Sequence, residues 1–173
     1  ALIGLPTQEI EKYLDFKDLE LDEWTSISKF VQVKPCFSPH PVDTNIFFFK
    51  YENGLKTQTY AHLADIISSA VLGRMKNPES KYHISENFYK KTFDNYLQTT
   101  DVKKIDAGGG MIHGEVKDFV DDKSRKIILA HSSTTFSQDE LKIIKSACTV
   151  KFGSSDLRVP MSKEKFLKDK ALQ

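Results

Sequence analysis

The chain is short of the residues that announce the commonest chemistries. Two cysteines, Cys36 and Cys148, stand far apart among 173 residues. That excludes a disulfide framework and a cysteine-rich zinc motif, and it predicts a reducing, intracellular compartment. Charge of one sign is missing as well, with 25 basic residues against 24 acidic. A nucleic-acid binder carries a basic excess, so no nucleic-acid partner is expected. No apolar run reaches the roughly 18–20 residues that span a bilayer. The longest, residues 63–72, is cut by Asp65, Ser68 and Ser69. No membrane partner is expected. Neither a Walker loop nor a G-x-G-x-x-G fingerprint occurs, so no nucleotide cofactor is expected.

What is present is an ordinary globular composition, 39% hydrophobic and 28% charged. The pattern predicts an α+β fold: a small mixed or antiparallel sheet, two or three packing helices and a helical N-terminal extension. Three regions are expected. Residues 1–44 form the extension and a proline-rich connection, 45–159 the α+β domain, and 160–173 a tail. In the extension, Thr7 caps one helix. Leu21, Trp24, Ile27, Phe30 and Val31 have the 3–4 spacing of another. Pro35, Pro39 and Pro41 make residues 35–43 a loop. Ala1 is not a methionine, which fits a processed or a trimmed terminus alike.

Residues 46–51 and 55–60 read as strands on either side of Asn53-Gly54, a β-hairpin signal, because a type I′ turn needs positive φ at both central positions. A helix is expected over 61–74 and another from Ser85, its N-cap, to about Leu97. A strand from residue 102 then meets the glycines and continues extended through 111–119, and 126–131 reads as its return strand after a turn at 121–124, a second hairpin. Ser137 with Glu140 three residues on is a capping box that opens a helix over 138–147. Residues 149–152 read as a last strand.

Four features carry candidate chemistry. Gly108-Gly109-Gly110 offers either a backbone cradle for an anion or a strand kink. Ser132-Ser133-Thr134-Thr135 leads into a helix N-terminus, which suits an anion or simple capping equally. His83 precedes the Ser85 cap, where an imidazole projects either into a cleft or to solvent. His113 and His131 fall near one another if the second hairpin forms. Without an acidic or cysteine ligand at a convincing spacing, they make no metal centre.

Tyr82-His83 before a helix, Gly108-Gly109-Gly110 after a strand, the return strand 126–131, the small-residue loop and the helix from 138 come in an order that resembles the phosphohistidine phosphatase (Janus-type) family over residues 82–152. The resemblance implies a hydrolase that needs no metal or other cofactor and acts on a phosphoric monoester or phosphoramidate. His83 would be the general base, and Gly109, Gly110, Ser132 and Ser133 would hold the phosphate. Its partner would be a phosphorylated protein or a small phosphate ligand. Met111 stands where that family carries arginine, which implies a catalytically degenerate member. The alternative is a non-catalytic binding subunit of a larger assembly, docking a protein partner through Trp24, Phe30 and Phe37 of the N-terminal extension and Phe166.

Overall fold

The structure is a computed structural model, which describes residues 17–40, 44–107, 112–130 and 136–147. A six-stranded mixed sheet runs in sequence order. Its strands are β1 Thr25–Ser26, β2 Val31–Ser38, β3 Thr44–Glu52, β4 Thr57–His62, β5 Val102–Asp106 and β6 Lys126–Ala130. The helices are α1 Ser69–Met75, α2 Glu86–Tyr96 and α3 Gln138–Ala147, with a 3-10 turn at Val116–Phe119. This bears out the α+β class with three helices.

The sheet has two halves of different character. The first four strands form an antiparallel meander, whereas β5 pairs parallel with β4 and β6 parallel with β5. The β3–β4 hairpin forms where Asn53-Gly54 marks it. Its turn is longer than the two-residue type, because Glu52 pairs with Thr57 and residues 53–56 close the loop. Asn53 Oδ1 accepts the amides of Leu55 (3.2 Å) and Lys56 (2.9 Å), and Gly54 takes the positive φ of 81°.

Alternation decides which face of β3 is covered. Ile46 and Phe48 are buried and join Cys36, Ala61, Leu63, Ile66, Ile105 and Ile127 in the main core. Helix α2 closes that core with Tyr96, flanked by Phe93 and Leu97. Its N-terminus is capped as expected: Ser85 Oγ accepts from the Phe88 amide at 3.1 Å. A smaller cluster, Ala107 and Val116 with Leu129, Phe136, Leu141 and Ile143, seats α3. The Ser137–Glu140 capping box is formed in both directions, at 2.8 Å and 3.2 Å.

Four expectations are corrected. Residues 21–31 are not helical: they form β1, a turn and the start of β2, so the helical N-terminal extension is not supported over the described residues. Residues 1–16 lie outside them. Pro35 and Cys36 sit inside β2. Pro35 is tolerated because β1 pairs only with Gln32 and Val33, leaving that edge of β2 free of ladder amides at position 35. The helix expected over 61–74 begins only at Ser69, because Tyr60, Ala61 and His62 pair with β5. The second hairpin does not form, since Val116–Phe119 is a 3-10 turn and β6 pairs parallel with β5. The predicted strand at 149–152 and the tail from 160 lie outside the described residues.

Candidate metal centre

The meander and the parallel half share one edge. β2 ends at Ser38 opposite Thr44, the first residue of β3, and β4 ends at His62 opposite Phe47. β5 and β6 run with β4, so their carboxyl ends emerge on the same side. Residues 39–40, 63–68, 107 and 112–114 therefore gather above one rim of the sheet. In sheets with parallel strands the carboxyl-end rim is the ordinary place for a ligand.

Three of these segments bring metal-type ligands together. Asp65, Asp106 and His113 place one ligand atom each within 4.8 Å of one another. The backbone explains why. Leu63 N bonds Lys104 O at 2.9 Å, which pins the start of the 63–68 loop against β5. Leu63, Ile66 and Ile67 are buried, which anchors the rest of that loop in the core. Ser68 N bonds Ile112 O at 2.9 Å, and Ile67 bridges His113, so the chain returning toward the 3-10 turn is stitched to the same loop. Ser38 Oγ, bonded to the Asp65 carbonyl at 3.3 Å and to Tyr96 Oη at 3.2 Å, ties the loop to β2 and α2. Burial pushes the Tyr96 phenol up to about 12, so it stays neutral in that bond.

Asp106 is the centre of the arrangement. It is fully buried at the end of β5. Its Oδ2 accepts the Ile66 amide at 3.2 Å and lies 2.9 Å from His113 Nδ1. Gly114 makes this approach possible. A Cβ there would stand 2.7 Å from the Asp106 carbonyl oxygen and 2.8 Å from Ile66 Cδ1. The segment after His113 passes so close to β5 that only glycine fits.

A second imidazole lies beside His113, outside the group of three. The His40 ring lies 5.4 Å from the His113 ring, centre to centre, with the planes 34° apart. Both of its nitrogens are shut off from solvent and have no hydrogen-bond partner among the described residues.

The sequence-predicted site residues fare differently. His83 is exposed in the turn between α1 and α2, its Nδ1 3.2 Å from the Asn77 carbonyl oxygen. Gly109, Gly110, Ser132, Ser133, Met111 and His131 lie outside the described residues, so the phosphate pocket has only His83 within them. Of the expected histidine pair, His113 is found at the rim. Asp65 and Asp106 were not among the predicted ligands. They stand 41 and 7 positions from Asp106 and His113 respectively by residue number, and no local motif joins such separations. Cysteine chemistry finds no support at Cys36, where burial and the neighbouring Asp22 carboxylate push the thiol up to about 11. Of the aromatics expected to dock a partner, Phe166 lies outside the described residues, and Trp24, Phe30 and Phe37 are exposed while each touches a neighbour in the chain. Trp24 lies under Lys34 and Lys50, Phe30 against Tyr51, and Phe37 against Phe88.

No family model and no curated protein matches the chain. Among solved structures, it is similar to the metallo-beta-lactamase fold protein YhfI from Bacillus subtilis, with a TM-score of 0.48 and 11% identity. The match covers 83% of this chain and spans 55% of that protein's length. The expected membership of the phosphohistidine phosphatase family is overturned. No family model supports it, and the hairpin return that carried the resemblance is a parallel strand pair. The phosphohistidine-phosphatase-like function falls with it. Among the described residues no helix is long and apolar enough to cross a membrane.

Proposed function

We propose that Asp65, Asp106 and His113 hold one divalent cation and that the protein is a metal-dependent hydrolase. The reading rests on the convergence of three ligand atoms within 4.8 Å at the carboxyl-end rim of the sheet. Two carboxylates and an imidazole are the oxygen and nitrogen donors that suit zinc, manganese or iron(II). Such an ion, when bound, supplies a water acidified toward neutral pH and a Lewis acid for the substrate oxygen.

The protein's own share is positional. Asp106, buried and bonded to the Ile66 amide, contributes a fixed negative charge whose direction is set by the backbone. Asp65 lies on a loop held by three buried apolar side chains, which keeps it in reach without a helix or strand of its own. His113 is oriented through its bridge to Ile67 and its contact with Asp106. A site held this firmly before a ligand arrives has little reorganisation to undergo on binding.

The test is direct. Titration calorimetry with Mn2+ and Zn2+ on the intact chain, and on Asp106→Asn and His113→Ala, measures binding. Thermal unfolding checks it independently, because an ion at 100 times its Kd stabilises the native state by about 2.7 kcal/mol. Stoichiometric binding that both substitutions abolish is the expected result. A well-folded protein that takes up neither ion at millimolar concentration would leave Asp106 and His113 as a structural ion pair and overturn the proposal. Binding without turnover of ester, amide or lactone substrates would overturn the hydrolytic part.

A further inference from the structure

We infer that Tyr96, the last residue of α2, is a positioning residue of the metal centre: its hydroxyl, working through Ser38, holds the 65–67 segment on which all three ligands depend. The inference rests on the metal reading above and deepens it.

Tyr96 and Ser38 are both buried and come from different elements, α2 and β2. Buried polar groups are almost always paired, so each proton between them can be traced. Ser38 Oγ donates to the Asp65 carbonyl at 3.3 Å. A hydroxyl has one proton, so in the 3.2 Å pair between Ser38 and Tyr96 the phenol is the donor. The phenol oxygen is left to accept, and the Ile67 amide is hydrogen-bonded to it. The donors therefore run from Ile67 to Tyr96, from Tyr96 to Ser38 and from Ser38 to Asp65. The chain of bonds begins and ends on one short loop.

Each link lands on a ligand. Asp65 supplies one ligand atom itself. Its carbonyl and the Ile66 amide belong to one planar peptide unit, so turning one turns the other. That amide donates to Asp106 Oδ2 at 3.2 Å. Ile67 is bridged to His113. Ser38 and Tyr96 thus fix the peptide that orients Asp106 and the residue that seats His113, and neither is itself a ligand.

Tyr96 is held at its other end as well. Its carbonyl accepts Lys103 Nζ at 2.8 Å, and Phe93 packs edge-on against its ring with the centres 5.3 Å apart. A ring fixed through both its backbone and its neighbour presents the hydroxyl at one place. Ligands carried on a loop need such outer support to keep their geometry.

The experiment measures Mn2+ affinity and backbone amide exchange in the wild-type chain, Tyr96→Phe, Ser38→Ala, their double variant and the control Phe93→Leu. Tyr96→Phe deletes one oxygen and keeps the ring. Loss of an outer-shell partner weakens metal binding about 10–100-fold, and Mn2+ should bind that much more weakly to both single variants. The double variant should equal the weaker single one, because both substitutions break the same chain of bonds. With no metal added, the Ile66 and Ile67 amides should exchange faster in both. Phe93→Leu loosens the same helix but leaves the hydroxyl in place, so its Mn2+ affinity should match wild type. Should Tyr96→Phe fold poorly, Ser38→Ala, which breaks the chain from β2, decides the question. Wild-type protein that binds Mn2+ while the single variants match its Kd, or a Phe93→Leu protein that loses as much affinity as they do, overturns the inference and leaves the three-residue site standing. Unchanged exchange at Ile66 and Ile67 overturns it too. Wild-type protein that binds no ion overturns the metal reading instead, and the positioning role with it.

Discussion

Replacing Lys103 by methionine should destabilise the protein more than any change at its rim. Lys103 lies in β5 with its side chain fully buried, and Asp122, equally buried, is its ion-pair partner. Its Nζ also donates to the Tyr96 carbonyl at 2.8 Å, at the C-terminal end of α2. Asp122 Oδ1 in turn accepts the Ser124 amide at 2.7 Å. One ammonium thus joins a strand, a helix end and the loop before β6. Burial holds its pKa below the usual lysine range, while the Asp122 hydrogen bond and charge pull it back up. Lys103→Met leaves the Asp122 carboxylate in the interior with one amide, and removing one partner of a buried pair costs about 3–5 kcal/mol. A domain of this size has roughly 5–15 kcal/mol in all. At a urea dependence of ~2 kcal/mol/M the midpoint should fall by about 1.5–2.5 M. The double variant Lys103→Met with Asp122→Leu removes both charges, and it should recover more than half of the loss. Urea unfolding followed by circular dichroism on the three proteins measures this. A single variant within ~1 kcal/mol of wild type, or a double variant no better than the single, would show that the pair is not what holds β5 to α2.

Two further outcomes probe the rim and its neighbour. Gly114→Ala forces a methyl to within 2.7 Å of the Asp106 carbonyl, so stability should drop by about 1–3 kcal/mol and metal affinity with it. Calorimetry showing wild-type affinity in a stable Gly114→Ala protein would refute the close-packing argument. His62 titrates below its ordinary 6.5 because of burial first and Lys104 second. Between its folded value and 6.5 the unfolded chain binds more protons, so stability rises with pH across that window and is lowest below it. His62→Gln should flatten the rise in stability just below pH 6.5, read from urea midpoints at each pH. A curve unchanged in shape would remove His62 as the cause.

The comparison of pattern with fold divides along chain distance. Asn53-Gly54, the Ser85 cap and the Ser137–Glu140 box were legible because each acts within three or four residues. A turn needs a φ, and a helix end needs a donor met, whatever the rest of the chain does. Pairing direction was not legible. The apolar runs at 102–105 and 127–129 fit an antiparallel return as well as a parallel one, and the choice is made where the chain between them packs Phe119 into the same core as Ile105 and Ile127. The Leu21–Val31 spacing suited a helix, yet its residues became strand and turn because β3 offered β2 a complete partner.

The rim cluster lies beyond any local rule. Asp65 and His113 come from two loops and Asp106 from the end of β5, and each is unremarkable among its own neighbours. By itself the amino-acid order determined an α+β chain with one certain hairpin and two capped helices, since those depend on short-range backbone geometry. Only the tertiary structure decided that two carboxylates and an imidazole meet, because strand order and direction select which chain ends share an edge, and a charge cluster exists only after distant segments have been packed side by side.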